Sequence, residues 1–183
     1  MVASEVRGAS GQALEPRTSN LAPRLVFPEP LQQELLAHAR AEDPDEVCGI
    51  LAGHEDRVER VFRVRNTADA VTEDRAVFRD RETGVPTRGR KTVHYFMDPR
   101  DQLRVYNEID ALGLDIVGYY HSHTHTEARP SPTDIRLAND LAAYYVLVSL
   151  TNPPAVRAWR IHKADPVAEQ GEALEVEVVS RES

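Results

Sequence analysis

The chain has 183 residues, of which 41% are apolar, so it is long enough for one domain with a buried core. Its formal net charge of −8 argues against a general nucleic-acid binder, which usually carries a basic footprint. Cys48 is the single cysteine, which excludes an internal disulfide, and the apolar runs are too short to span a bilayer. The first residues lack the apolar segment of a secretory signal, so we expect a cytoplasmic location.

Residues 1–23 are small, polar and without periodicity, which predicts a disordered leader before a single domain at residues 24–183. The domain opens with a short strand, RLVF. A helix follows in PEPLQQELLAHARAED, where apolar residues recur at helical spacing and proline occurs only in the first turn. Two strands come next, the buried EVCGILAG at 46–53 and then RVERVFRVRN.

Residues 79–91, RDRETGVPTRGRK, carry five basic and two acidic residues together with Gly and Pro, and they predict an exposed, locally positive loop. The charge has two interpretations, a solvated surface loop or a docking surface for an acidic partner. The sequence TVHYFM then predicts a further strand at 92–97.

DPRDQLRVYNEIDALG predicts a helix that is capped by Asp98 and turns Leu103, Tyr106, Ile109 and Leu112 towards the core. A buried strand, DIVGYYHSH, follows, then a helix in SPTDIRLANDL and three strands, YYVLVSL, VRAWRIH and LEVEVVS. Strands and helices therefore interleave before strands finish the chain. This order predicts an α+β domain, similar to a three-layer α/β/α arrangement, with a mixed β-sheet.

His121 and His123 lie two residues apart at the end of the strand DIVGYYHSH. Because side chains alternate across a strand, both imidazoles project from the same face, about 6–7 Å apart along the backbone. They can bind one metal ion there, or they can form a buried neutral pair that hydrogen bonds satisfy. We favour the metal site, because a carboxylate, Asp134, follows closely.

Ser131 and Asp134 begin the next predicted helix, with Ser131 in the N-cap position and Asp134 in the first turn. The capping roles are compatible with metal binding, since a first turn that faces the histidine strand brings Asp134 to the same ion. Two histidines and one aspartate leave one tetrahedral position open, which is typical of catalytic zinc. Hydrolysis at such a site also needs a base, for which Glu46 and Glu127 are both candidates.

The set Glu46 … His121-x-His123-x(7)-Ser131-x-x-Asp134 matches the signature of the JAMM (MPN-plus) metalloproteases with every spacing intact. DEVCGILAG and GYYHSHTHTEARPSPTDIRLA also resemble the bacterial single-domain branch of this family. The resemblance implies the JAMM/MPN fold, which is cytidine-deaminase-like, with one zinc ion per chain bound by His121, His123 and Asp134. It also implies that Glu46 is the general base and then the general acid, and that Ser131 stabilises the oxyanion.

Two residues near the motif depart from the pattern of many family members. Thr124 stands where a proline often follows the second histidine, and His125 is an additional histidine. If the strand continued, His125 would share the ligand face and could replace Asp134, but Pro130 and Pro132 indicate that the chain has already left the strand. HSHTHTE also contains a cupin-like HxHxxxE, although the helix predicted after it and the missing second histidine motif argue against a cupin.

The family resemblance implies hydrolysis at the bond after the flexible tail of a ubiquitin-like protein. Small bacterial members resemble peptidases that act on sulfur-carrier proteins of the ThiS/MoaD type, which end in Gly-Gly, and release cysteine from a carrier–cysteine adduct in one route of cysteine biosynthesis. Two alternatives remain: an isopeptidase that removes a ubiquitin-like modifier from protein lysines, and a non-catalytic, zinc-stabilised interaction domain. Neither nucleic acid nor membrane is expected as a partner, and the oligomeric state, including a homodimer, stays open.

Overall fold

The computed structural model describes residues 23–181, so the predicted leader, apart from its last residue, lies outside the described residues. The strands are β1 (Arg24–Val26), β2 (Cys48–His54), β3 (Arg57–Val64), β4 (Phe78–Arg79), β5 (Pro86–Thr87), β6 (Asp115–His123), β7 (Tyr144–Ser149), β8 (Ala155–Lys163) and β9 (Gly171–Val179). The helices are α1 (Glu29–Glu42), α2 (Pro99–Ala111) and α3 (Pro132–Leu137). In this part of the chain, no helix combines the length and the apolar character needed to cross a membrane.

Seven of the described strands form one mixed sheet in the order β1-β3-β2-β6-β7-β8-β9. β6 and β7 are parallel, whereas β3–β2, β2–β6, β7–β8 and β8–β9 are antiparallel pairs. The short β1 pairs in parallel with both β3 and β9, and it thereby closes the sheet. The predicted α+β domain with a mixed sheet is confirmed.

One face of the sheet packs against α1. The buried residues of this helix are Leu35, Leu36 and Ala39, and they share a hydrophobic core with Tyr120 and Val146 of the sheet. Burying a leucine side chain contributes about 1.5–3 kcal/mol, so this core fixes α1 firmly against the strands that carry the candidate site.

The opposite face packs against α2 over β2 and β3 and against α3 over β7 and β8. In α2, Val105 and Ile109 are buried, and Asp98 caps the helix as predicted by accepting hydrogen bonds from two backbone N–H groups. Helices therefore cover both faces of the sheet, which is the three-layer arrangement that the order of elements predicts.

The predicted inward face of α2 is wrong at two positions. Leu103 is 60% exposed and Leu112 is 45% exposed. Leu103 lies about 200° around the helix from the buried Val105, so it points away from the sheet. Leu112 follows the last helical residue and does not continue the buried stripe. The helix predicted at 131–141 is also too long, because α3 ends at Leu137 and the next residue has an extended backbone.

Residues 92–97 do not form the predicted strand, apart from an isolated bridge between Met97 and Asn66. The carbonyl oxygen of His94 and the N–H of Phe96 bond to the side-chain amide of Asn66 instead of to a neighbouring strand. The hydroxyl of Thr67 donates to the carbonyl oxygen of Phe96 as well. Polar side chains thus replace the ladder that a strand would need.

The loop at 79–91 is largely exposed, as predicted, but it includes most of a short hairpin formed by β4 and β5. Two of its basic residues bond to the same aspartate. The guanidinium of Arg88 donates to the carbonyl oxygen of Asp69 at 3.1 Å, and the Lys91 ammonium lies 3.4 Å from the Asp69 carboxylate. These two cations hold the loop to the domain, and the docking interpretation stays a prediction.

Candidate metal centre and active site

The two histidines at the end of β6 point to the face of the sheet that carries α2 and α3. His121 is paired in the sheet with Leu147, whose side chain belongs to the core under α3. His121 and His123 are both buried, and their Nε2 atoms lie 3.2 Å apart. The alternation of side chains along a strand therefore brings the two imidazoles together, as the spacing predicts.

Ser122, between the two histidines, joins β6 to the segment that precedes β2. Its hydroxyl oxygen accepts a hydrogen bond from the N–H of Val47 at 2.9 Å, and its own N–H donates to the carbonyl oxygen of Val47 at 3.0 Å. Val47 directly follows Glu46 in the chain. The pairing therefore sets the position of the Glu46 backbone relative to the histidines.

Asp134 reaches the histidines from the first turn of α3 while it also caps that helix. The Ser131 hydroxyl oxygen accepts from the N–H of Asp134 at 3.2 Å, and the Asp134 carboxylate accepts from the N–H of Ser131 at 2.6 Å. The same carboxylate lies 3.4 Å from His121 Nε2 and 3.6 Å from His123 Nε2. The Asp134 carboxylate therefore caps α3 and faces both histidines at the same time.

The spacing of these donor atoms suits a small tetrahedral cation. One ligand atom from each of His121, His123 and Asp134 lies within 4.8 Å of the others, so the three could hold a metal ion. Ligands about 2.0–2.1 Å from a tetrahedral ion stand about 3.4 Å from one another. The Nε2 atoms of the two histidines are 3.2 Å apart. His121 Nε2 lies 3.4 Å from Oδ1 of Asp134 and His123 Nε2 lies 3.6 Å from Oδ2, so all three separations are close to that edge length.

The surroundings of His121 and Asp134 favour the forms that bind metal, whereas the pKa of His123 is raised, because Asp134 outweighs the lowering effect of burial. Burial lowers the pKa of His121, which keeps this imidazole neutral. Burial opposes ionisation of Asp134, but the nearby His121 and hydrogen bonds from the histidines and Ser131 hold its pKa well below the usual range. His123 Nδ1 lies 2.9 Å from the carbonyl oxygen of Glu127, an acceptor that places the proton on Nδ1 and frees Nε2.

Glu46 lies just before β2, buried in the wall of a cavity of about 240 Å³ that His123, Ser131 and Asp134 also line. Burial raises the pKa of its carboxyl to about 8, with His123 opposing the rise and Asp134 adding to it. A carboxyl group that titrates near neutral pH can both take and return a proton during a reaction. The structure thus brings Glu46 to the three candidate ligands.

Asn66 is a contributor to this site that sequence reasoning missed. Its amide nitrogen donates to the carbonyl oxygens of Glu46 at 2.7 Å and of His94 at 3.0 Å. Its amide oxygen accepts from the N–H groups of Ala68 at 2.9 Å and of Phe96 at 3.0 Å. One side chain therefore fixes both Glu46 and the segment around residue 95, and no spacing rule marks such an asparagine in the sequence.

Tyr95, in the segment that Asn66 holds, forms one wall of the histidine site. Its ring stacks on the imidazole of His121, with ring centroids 4.3 Å apart. Burial raises the pKa of the Tyr95 hydroxyl well above its ordinary value, so this side chain stays neutral. An uncharged aromatic wall shields His121 from water without competing for a cation.

Glu127 and His125, the alternative base and the alternative metal ligand, do not join the candidate site. Glu127, the rival base and the glutamate of the cupin-like pattern, is exposed and lines a different cavity, near Trp159. His125 is exposed and lines the cavity of Glu46, but it is not part of the His121–His123–Asp134 cluster. The geometry therefore favours Glu46 as base and Asp134 as third ligand, and both assignments stay predictions.

Known proteins resemble the chain across this site. The family described as prokaryotic homologs of the JAB domain matches residues 28–162. The CysO-cysteine peptidase of Mycobacterium tuberculosis is 37% identical over 141 residues, which are 75% of this chain and 82% of that protein. The desampylase of Haloferax volcanii is 28% identical over 140 residues, which are 74% of this chain and 88% of that protein.

A solved structure agrees with the sequence comparison. The solution structure of a protein from Desulfitobacterium hafniense superposes with a TM-score of 0.62 and 31% sequence identity, and the match covers 86% of this chain and 92% of that one. The matched family segment contains Glu46 and the whole motif from His121 to Asp134. The resemblance indicated by the motif is confirmed, and the chain belongs to the JAB/MPN family as one of its prokaryotic members.

Proposed function

We propose that this protein is a zinc-dependent peptidase that cleaves the bond after the C-terminal glycine of a ubiquitin-like sulfur-carrier protein and releases cysteine. The chain is a JAMM-type hydrolase, and its relatives support action on conjugates of ubiquitin-like proteins. The observation that carries the proposal is the single cavity in which Glu46 and Ser131 meet the cluster of His121, His123 and Asp134.

His121, His123 and Asp134 would hold the zinc ion, because two imidazoles and one carboxylate are a donor set that zinc accepts. Zinc in such a site makes water a nucleophile near neutral pH and polarises the carbonyl of the substrate. The hydrogen bond between His123 Nδ1 and the carbonyl oxygen of Glu127 would orient that imidazole.

Glu46 would move the proton. As the water oxygen bonds to the glycyl carbonyl carbon, the Glu46 carboxylate takes a proton from the water. When the C–N bond breaks, Glu46 gives this proton to the leaving nitrogen. The carrier then ends in a carboxyl group, and cysteine leaves as a free amine. The backbone of Glu46 is held at both its N–H, by Lys91, and its carbonyl, by Asn66, so little reorganisation is needed.

Ser131 would stabilise the oxyanion. In the capping box its hydroxyl oxygen accepts the hydrogen bond from the Asp134 N–H, and its hydroxyl proton would turn from the Asp134 carboxylate to the oxyanion. Ser131 lines the same cavity as Glu46. A donor that is already fixed by a helix start suits this role, because preorganised donors stabilise developing charge most effectively.

The 37% identity to a CysO-cysteine peptidase supports cysteine as the leaving group. The expected partner is a carrier of the ThiS/MoaD type with a C-terminal Gly-Gly. The second candidate function is removal of a ubiquitin-like modifier from protein lysines, which the 28% identity to a desampylase supports. A homodimer is compatible with either function.

The test is incubation of the purified protein with a carrier–cysteine adduct, with and without a chelator, and measurement of the products by mass spectrometry. We expect free cysteine and a carrier that ends in glycine, with the reaction stopped by the chelator and by Asp134→Ala. Cleavage of lysine-linked conjugates but not of the cysteine adduct would favour the second candidate. A protein that binds zinc and cleaves neither substrate would be the non-catalytic domain.

A further inference from the structure

Arg81 lies at the tip of the β4–β5 hairpin and lines the cavity that holds Glu46, His123 and Asp134. Within residues 23–181 its guanidinium has no ion pair and no hydrogen bond, and its charge is close enough to lower the pKa of Glu46. Three other basic residues of the loop are paired, in contrast to Arg81. They are Arg79, Arg88 and Lys91, which bond to Glu169 or to Asp69.

An unpaired arginine in the catalytic cavity of an acidic protein is suited to bind an anion. With a formal net charge of −8, the protein as a whole repels negative groups, so a local cation is needed wherever an anionic group must enter. A guanidinium offers two parallel N–H donors that match the two oxygens of a carboxylate. The cavity also holds the proposed proton donor, Glu46, so the anion and the leaving nitrogen would be close together.

We propose that Arg81 binds the α-carboxylate of the amino acid that leaves, and that it thereby selects a free amino acid over a lysine side chain as leaving group. This inference rests on the proposed function. In a carrier–cysteine adduct, the carboxylate is separated by a single carbon from the nitrogen that Glu46 protonates. In an isopeptide, the nitrogen belongs to a lysine side chain, and no carboxylate lies within several carbons of it.

The inference is tested with two adducts of one carrier, linked to cysteine or to cysteamine, which is cysteine without its carboxylate. We expect Arg81→Ala to lower kcat/KM by about tenfold or more on the cysteine adduct and by less than about twofold on the cysteamine adduct, since rejection of an unpaired polar group can reach that size. Arg81→Lys should recover part of the loss. Arg60→Ala removes an exposed cation of β3, outside both the loop and the cavity, and it should leave both rates unchanged.

An equal loss on both adducts would overturn the inference, because Arg81 would then contact the carrier itself or support the loop. No loss on either adduct would also overturn it, as would a selective loss in Arg129→Ala alone, since Arg129 is another arginine of the cavity wall. These results leave the proposed function intact when the wild type cleaves the cysteine adduct. A wild type that cleaves neither adduct would overturn the proposed function, and the inference with it.

Discussion

The side-chain amide of Asn66 donates a hydrogen bond to the carbonyl oxygen of Glu46 at 2.7 Å. The same amide bonds to three further backbone groups, at Ala68, His94 and Phe96. Asn66 thus connects the proposed base to the segment that carries the aromatic wall beside His121. Asn66 is not among the residues that line the cavity of Glu46, His123 and Asp134, but it lines a second cavity together with Glu46 and Val47.

We expect Asn66→Ala to lower kcat at least about tenfold while zinc content stays near that of the wild type, because a group about 1 Å out of place can cost a factor of that order. The unpaired backbone groups should also lower the free energy of unfolding by about 1–3 kcal/mol. Kinetics, elemental analysis and denaturant titration measure the three effects. Asn66→Asp keeps both acceptor bonds but places a carboxylate oxygen against the carbonyl oxygens of Glu46 and His94, so its loss of kcat should be at least as large. Loss of zinc with normal kcat would contradict this role.

Metal content separates the ligands from their neighbour. The wild type should hold about one zinc ion per chain, and His123→Ala should lose it, because three protein ligands are the usual minimum at such a site. His125→Ala should keep zinc and most activity, since His125 lies outside the donor cluster. Elemental analysis measures the zinc. Retention in Asp134→Ala together with loss in His125→Ala would show that the third ligand was misassigned.

Glu46→Gln separates proton transfer from metal binding. The amide keeps the shape of the side chain but cannot take a proton, so zinc should remain while hydrolysis falls by about two to four orders of magnitude. Glu127→Gln is the matched control and should stay active, because only the backbone carbonyl of Glu127 contacts His123. Single-turnover rates of the two variants show which glutamate is the base. A dead Glu127→Gln beside an active Glu46→Gln would reverse the assignment.

Ser131→Gly distinguishes the oxyanion role from the capping role. Glycine at an N-cap costs only a few tenths of a kcal/mol, so α3 and the position of Asp134 should persist. The hydroxyl donor is lost, and kcat should fall by about 10²–10³, as for other donors to an oxyanion. Zinc content and thermal unfolding are measured beside kcat. If kcat is unchanged while stability drops, Ser131 only caps the helix.

Local rules predict much of this site. Alternation along a strand predicts that His121 and His123 share a face. The residue preferences at a helix N-terminus predict the positions of Ser131 and Asp134. These rules fail where long-range contacts decide the structure. The apolar run at 92–97 resembles a strand, yet its backbone bonds to the side chain of Asn66. No local sequence pattern predicts the hydrogen bonds between the Asn66 side chain and this segment.

The short strand β1 covers the edges of two other strands, β3 and β9. Leu25 lies opposite Val178 of β9, and Val26 lies opposite both Val179 of β9 and Arg57 of β3. A protein shortened past this strand would present two rows of unsatisfied backbone donors and acceptors, and exposed rows of this kind recruit strands from other copies. Self-association of the shortened chain, and not a loss of zinc, should therefore be its first defect.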